Sequence, residues 1–451
     1  MDVTYISSTF ANMAEDRHIP LTSTRIMEMI LKNQKKLNVI YSDFPKNVVI
    51  EYYNYCLKFP INDYRIFHKE FIKNNIHKVE TEYVLLTMGN FYEVFFLIEL
   101  LKVGKKVVIG GPLTKLYNLK TIREMVSVNG GESHLNNLLI VRPYINETID
   151  LFDVIKKWED IGDDIKYNIE SLYLKSVDDS YYKFIPEFKI NNIKVNQISI
   201  YLSTYCAWGK CNFCTYIPDN SLQFYSKDNL EETIQTTIDL LNRYNIKKLM
   251  FGNPEFYFNK DNIKILEMLK ANNIKVIILS GIKLLNNDHY FNNLIKYHEI
   301  IDYIITGIES LDDFSLKLLG KSHTFNDVIK AASRLIIFNN TTNNPIKLIG
   351  LYMANLATKN NQHVIDNYNR QNILLKIFES SNTSYTPDTS AYNFMPLNRY
   401  VTNNPYLKPR GNHLTVLNDY IRYDENGNEM LKDSEIVDTD LYNKLIKYIR
   451  Y

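Results

Sequence analysis

Cys206, Cys211 and Cys214 fall within nine positions, inside the run Ser203-Thr204-Tyr205-Cys206-Ala207-Trp208-Gly209-Lys210-Cys211-Asn212-Phe213-Cys214. Soft thiolates in one loop suit an iron–sulfur cluster or zinc. A structural zinc site takes four closed ligands. The chain has no second cysteine pair to complete one, only Cys56 and scattered histidines. Three thiolates would instead leave one iron of a four-iron cluster open to chelate a substrate or cofactor. The remaining reading is three buried cysteines acting as small hydrophobes, although Gly209, Lys210 and Asn212 in the same loop are not core composition. On spacing alone, cluster, zinc and core all stand.

Further candidates sit where apolar runs end. Phe251-Gly252-Asn253-Pro254-Glu255 offers two acceptors, Asn253 and Glu255, for an N–H⁺ donor. Ser280-Gly281 is small enough to let a ligand approach, and Gly307-Ile308-Glu309-Ser310 places a carboxylate just past an apolar run. In a barrel, a carboxylate at the carboxyl end of a strand reads as functional. Lys106–Ile109 runs into Gly110-Gly111-Pro112, where glycines permit close backbone approach to a ligand or simply make a tight turn. No His-x-x-His pair, His-Glu motif, dinucleotide fingerprint or phosphate loop occurs.

The elements that must hold these residues alternate between strand-like and helix-like runs, the pattern of parallel α/β sheets. In the first part, Val3–Ile6, Leu37–Tyr41, Glu82–Thr87 and Lys106–Ile109 read as strands, with helices over Thr22–Leu37 and Phe91–Leu101. From Ile198 a second series begins. Its expected strands are Ile198–Leu202, Lys248–Gly252, Lys275–Ser280, Tyr303–Gly307, Ile346–Tyr352 and Leu374–Glu379. Helices over Leu230–Tyr244, Ile263–Asn272, His289–His298, Phe325–Phe338 and His363–Gln371 separate them, and a last one is expected over Leu441–Ile449. Six such strands predict a partial (β/α)6 barrel. The expected division is a Rossmann-like domain over 1–150, a polar linker over 151–195, the barrel over 196–393 and a small C-terminal extension over 394–451.

The whole chain, 451 residues with 52 Lys plus Arg against 51 Asp plus Glu, lacks the basic excess of a nucleic-acid binder. It has no apolar run long enough to span a membrane and no signal-peptide pattern at Met1–Phe10. Four cysteines are too few for a disulfide scaffold, so a reducing cytoplasm is the expected compartment.

A strand, a loop ending Cys-x-aromatic-Cys and a (β/α) series resemble the radical S-adenosylmethionine (radical SAM) superfamily. The usual spacing there is C-x-x-x-C-x-x-C; here the first gap holds four residues, Ala207 to Lys210. The Trp-Gly insert resembles members with an N-terminal cobalamin-binding-type domain. So do the strand ending Gly110-Gly111-Pro112, Ile19-Pro20-Leu21 opening a helix, and Pro186-Glu187-Phe188, while Gly307-Ile308-Glu309-Ser310 resembles the superfamily's Gly-x-Glu-Ser, with Leu318-Leu319-Gly320-Lys321 as its continuation. The resemblance implies a [4Fe–4S] cluster on Cys206, Cys211 and Cys214, with SAM on the open iron. Phe213 and Gly350 would lie near the adenine, Asn253, Glu255 and Ser280 around SAM. Glu309 would face the SAM ribose or the substrate, in a catalytic role. Gly110 and Gly111 would meet the nucleotide tail of cobalamin. Asp16-Arg17-His18 lacks the glycine of a histidine-ligating cobalamin motif, so His18 reads as a loop residue.

The implied activity is reductive cleavage of SAM to a 5′-deoxyadenosyl radical acting on a peptide or natural product. With cobalamin bound the outcome is C-methylation; without it, epimerisation, rearrangement or crosslinking. An electron donor such as flavodoxin or ferredoxin is implied as a partner. The rival from another class is a non-catalytic α/β protein holding structural zinc.

Overall fold

The computed structural model describes residues 3–7, 18–20, 37–41, 76–88, 93–110, 114, 117, 119–143, 164–167, 197–200, 206, 208–214, 230–243, 245–391, 400, 403–409 and 420–446. Gly111, the helix expected after residue 21, Cys56 and Pro186-Glu187-Phe188 lie outside them.

Among the described residues of the first part of the chain are strands β1 (Val3–Ser7), β2 (His18–Pro20), β3 (Leu37–Tyr41), β4 (Tyr83–Thr87), β5 (Lys106–Gly110), β6 (Leu138–Pro143) and β7 (Asp164–Tyr167). All but β2 form one parallel sheet of order β3-β1-β4-β5-β6-β7. Counted within that sheet, this is the flavodoxin-like order, whose ligand crevice opens beyond the carboxyl ends where the order reverses, here between β1 and β4. Side chains alternate across the sheet. Val107, Ile109, Leu138 and Ile140 are buried with helices α1 (Glu93–Lys102) and α2 (Leu119–Val126). Val108 and Leu139, on the opposite face, are buried in the core of the second unit.

That unit is the expected barrel. Strands β8 (Gln197–Ile200), β9 (Lys248–Phe251), β10 (Lys275–Leu279), β11 (Ile301–Glu309), β12 (Lys347–Ala354) and β13 (Tyr385–Ala391) lie side by side and parallel. Between them run α3 (Leu230–Arg243), α4 (Lys260–Ala271), α5 (Asp288–Lys296), α6 (Asp313–Leu318), α7 (Phe325–Asn339) and α8 (Asn361–Glu379). Asn259, Asn287, Asp312, Thr324 and Asn360 cap α4 to α8 through their side-chain oxygens, which sets where each begins. No helix among the described residues is long and apolar enough to cross a membrane.

Three expectations are corrected. Leu374–Glu379 is not the sixth strand but the end of α8: Val364, Tyr368, Gln371, Leu374, Leu375 and Phe378 are buried at helical spacing. The sixth strand is β13, whose Pro387 and few apolar residues conceal it and whose edge position tolerates a residue with no N–H. Asp164–Tyr167, inside the expected irregular linker, is a strand paired with β6. His18 is not a loop residue: His18–Pro20 pairs in parallel with β8 as a seventh strand of the barrel sheet.

Alternation also sorts the barrel wall. Ile304, Thr306 and Ile308 of β11, with Leu348, Gly350 and Tyr352 of β12, are the buried positions facing the helices. Tyr303, Ile305 and Gly307, with Ile349 and Leu351, face the interior. At the amino end Asp302 bridges Lys248 at 3.2 Å and Lys347 at 2.9 Å. Both ammonium groups also lie over the Tyr303 ring.

Candidate active site at the carboxyl end of the barrel

The cysteine loop follows β8 and is held from two sides. Asn212 donates from its backbone to Leu319 O at 2.8 Å and from its side chain to Leu318 O at 2.9 Å. Trp208 Nε1 donates to Gly320 O at 2.6 Å. Gly320 has φ +72°, and a Cβ there would stand 2.7 Å from Lys210 O, so this contact requires glycine. From the C-terminal extension, the Tyr400 N–H donates to Asn212 O. Gly209, also at positive φ, turns the loop so that its N–H and that of Trp208 point at the Cys206 sulfur. This turn occupies the four-residue gap.

The three cysteines are half-buried and free of disulfides. Burial pushes the Cys211 thiol up to about 11 against the pull of Lys321, with Cys214 and Cys206 close enough to add to the rise. Burial also raises Cys206, whose neighbour is Glu255. Among the described residues no group of three or more His, Cys, Asp or Glu is gathered about a single metal ion. The three thiols lie near enough to act on one another's charge, and soft thiolates suit iron–sulfur and zinc chemistry.

Two carboxylates flank the thiols. Glu255, just past β9, accepts from the Tyr257 hydroxyl. Its Oε1 would lie 2.6 Å from a Cβ on Gly281, so Glu255 is seated against the Ser280-Gly281 turn that ends β10. Ser280 and Asn253 are buried beside it. Glu309 ends β11 at φ +67°, beyond a register shift at Gly307, a backbone state that L residues adopt at a cost. Its carboxylate folds over Gly307 and pairs with Lys321 at 3.4 Å. Burial pushes Glu309 up, opposed by Lys321.

Sequence reasoning gave no role to Lys321, which serves Glu309, Cys211 and the Phe213 ring together. Its signal was the Leu-Leu-Gly-Lys run itself. Phe213 packs with Leu319, Leu356 and Tyr400. Gly350 is not brought into this group: its bare face abuts Tyr385 and Ile308 on the helix side of the sheet. Among the described residues, a Cβ on Gly110, at the end of β5, would meet nothing within 4 Å.

Residues 200–353 match the family model described as the Radical SAM superfamily. The barrel is a radical SAM domain. A domain of that class works with SAM and a [4Fe–4S] cluster. No curated protein matches the chain in sequence. In fold, the chain is similar to the radical SAM methyltransferase TsrM from Kitasatospora setae. With cobalamin and [4Fe–4S] bound, that structure gives a TM-score of 0.53 at 11% identity, covering 95% of this chain and 87% of TsrM. With tryptophan and the SAM analogue aza-SAM bound, the figures are 0.53 and 11%, over 91% and 78%. The cobalamin-dependent enzyme OxsB aligns over 88% of this chain at 13% identity and a TM-score of 0.48. The chain spans 54% of OxsB's length. The radical SAM domain thus sits beside a flavodoxin-like sheet, as in TsrM.

Proposed function

We propose that the protein is a cobalamin-dependent radical SAM methyltransferase acting on a peptide or natural product. The observation that carries this is the strand order of the first sheet, which opens a crevice beyond β1 and β4 next to the unobstructed end of β5. Gly110, with Gly111 after it, would line that crevice against the nucleotide tail of the cofactor. The two units of the proposal follow the expected boundaries near residues 150 and 196, with β7 belonging to the first.

Cys206, Cys211 and Cys214 would hold the cluster, which when bound would supply the electron for reductive cleavage of SAM. The chain's own residues do the rest. Glu255 and Asn253 accept hydrogen bonds from the SAM ammonium group, and Ser280 with Gly281 leaves room for it. Glu309, oriented by Lys321, accepts from the ribose hydroxyls. Phe213 and the apolar wall of Ile305, Ile349 and Leu351 exclude water from the radical. A flavodoxin or ferredoxin in the cytoplasm would deliver the electron.

The test is reconstitution with hydroxocobalamin followed by desalting, with the ultraviolet–visible spectrum recorded on wild type and Gly111→Val. The expected wild type retains about one cobalamin, and the variant loses it while keeping the cluster absorption. A wild type that retains none carries a cobalamin fold without cobalamin, and its chemistry becomes hydrogen abstraction leading to epimerisation, rearrangement or crosslinking.

A further inference from the structure

Asp388 stands in the middle of β13, opposite Leu351 of β12, which is itself opposite Gly307 of β11. Its side of the sheet follows from its neighbours. Tyr385 stacks on Phe378 of α8 at 4.2 Å and Pro387 is buried, so both face the helices. Asp388, of opposite parity, faces the interior. Strands lie ~4.8 Å apart, which puts Asp388 about 10 Å across the wall from Gly307. Gly307 is where the Glu309 carboxylate and the Lys321 ammonium meet.

The other carboxylates of this interior have partners: Asp302 has two lysines, Glu309 has Lys321, and Glu255 has the Tyr257 hydroxyl. Among the described residues Asp388 has none, and burial alone pushes it up to about 6. At neutral pH it is therefore mostly an anion, half-buried and without a counter-charge among the described residues. That state is costly unless a ligand supplies the charge. Leu351 stands level with it, and Met353, next on the same face toward the cysteine end, packs in the cluster that holds Phe213, so this stretch of wall is apolar.

We infer that Asp388 anchors an ammonium group of the substrate, so that the enzyme takes amines whose apolar portion lies along Leu351 toward the cysteine end. This rests on reading the interior as the substrate chamber of a radical SAM enzyme. A charged acceptor for one ammonium is worth ~1.5–3 kcal/mol, so its loss weakens amine binding roughly tenfold to a hundredfold.

The probes are tryptamine and phenethylamine, each against its neutral N-acetyl form, titrated into the full-length, anaerobically reconstituted protein with SAM present. Thermal shift reads binding without turnover. Wild type is expected to respond to the amines and not to the N-acetyl forms. Asp388→Asn should lose that preference and Asp388→Glu should keep part of it, with cluster absorption and SAM affinity unchanged in both. A wild type that does not distinguish amine from N-acetyl amine overturns the inference, a comparison that needs no variant to fold. An equal preference in Asp388→Asn also overturns it, as does a tenfold loss of SAM affinity there, which would assign the carboxylate to SAM's own ammonium. A wild type that prefers amines but forms no cluster would overturn the reading of the site instead.

Discussion

At the amino end of the barrel, Asp302 divides its two oxygens between Lys248 and Lys347, and both cations rest on one tyrosine ring. At the carboxyl end the same residue types are arranged differently. Glu309 has a single lysine at 3.4 Å on a left-handed backbone, three thiols are half-buried, and Asp388 has no counter-charge among the described residues. The amino end uses charge to close a sheet. The carboxyl end holds charge and soft ligands unsatisfied, which a fold tolerates only where something else binds. The division follows the barrel rule that function sits at the carboxyl ends and stability at the other.

The sharpest break is Cys211→Ala. Two thiolates cannot hold an open cubane, so iron and sulfide content after reconstitution should fall to background, and wild-type iron content would sink the assignment. Next comes Glu309→Gln, which keeps the shape and removes the charge. Hydrogen bonds to a charged acceptor contribute ~1.5–3 kcal/mol each, so SAM affinity should drop roughly tenfold to a hundredfold while cluster absorption stays. Unchanged affinity with a lower Tm would make the Glu309–Lys321 pair a scaffold like Asp302.

Gly320→Ala should act more mildly. A non-glycine residue at φ +72° is strained by roughly 1–2 kcal/mol, and the added Cβ pushes on Lys210 O. Iron loading should become slower and incomplete, with most of the fold's Tm retained. The smallest effect belongs to the amino end. Asp302→Asn weakens two half-exposed ion pairs, on the order of 1–2 kcal/mol, a fall of a few degrees in Tm. Cluster and SAM binding should not change, and a loss of either would erase the contrast between the two ends.

Much of this arrangement was legible in the sequence because strong local signals carry it. Three cysteines in one loop can be read without any fold, and strands such as Lys275–Leu279 and Lys106–Gly110 carry no polar side chain after the first lysine. What was not legible depends on distant partners. Leu374, Leu375 and Phe378 look like a strand until Val364 and Tyr368 are counted on the same helical face. Strand β13 has only weak apolar character and is defined by its ladder to β12. Lys321 is an ordinary lysine until the chain folds it against Glu309.

Strand β2 has a consequence for how the molecule is made. His18–Pro20 leave the ribosome well before their hydrogen-bonding partner, Gln197–Ser199, which is synthesised only after the strands of the first sheet. The barrel's last edge is thus closed by a segment made before most of that sheet, a pairing of long sequence separation and therefore slow to form. A gene fragment cut between the two sheets would leave β8 with an unpaired edge leading directly into the cysteine loop, the kind of exposed backbone that recruits foreign strands.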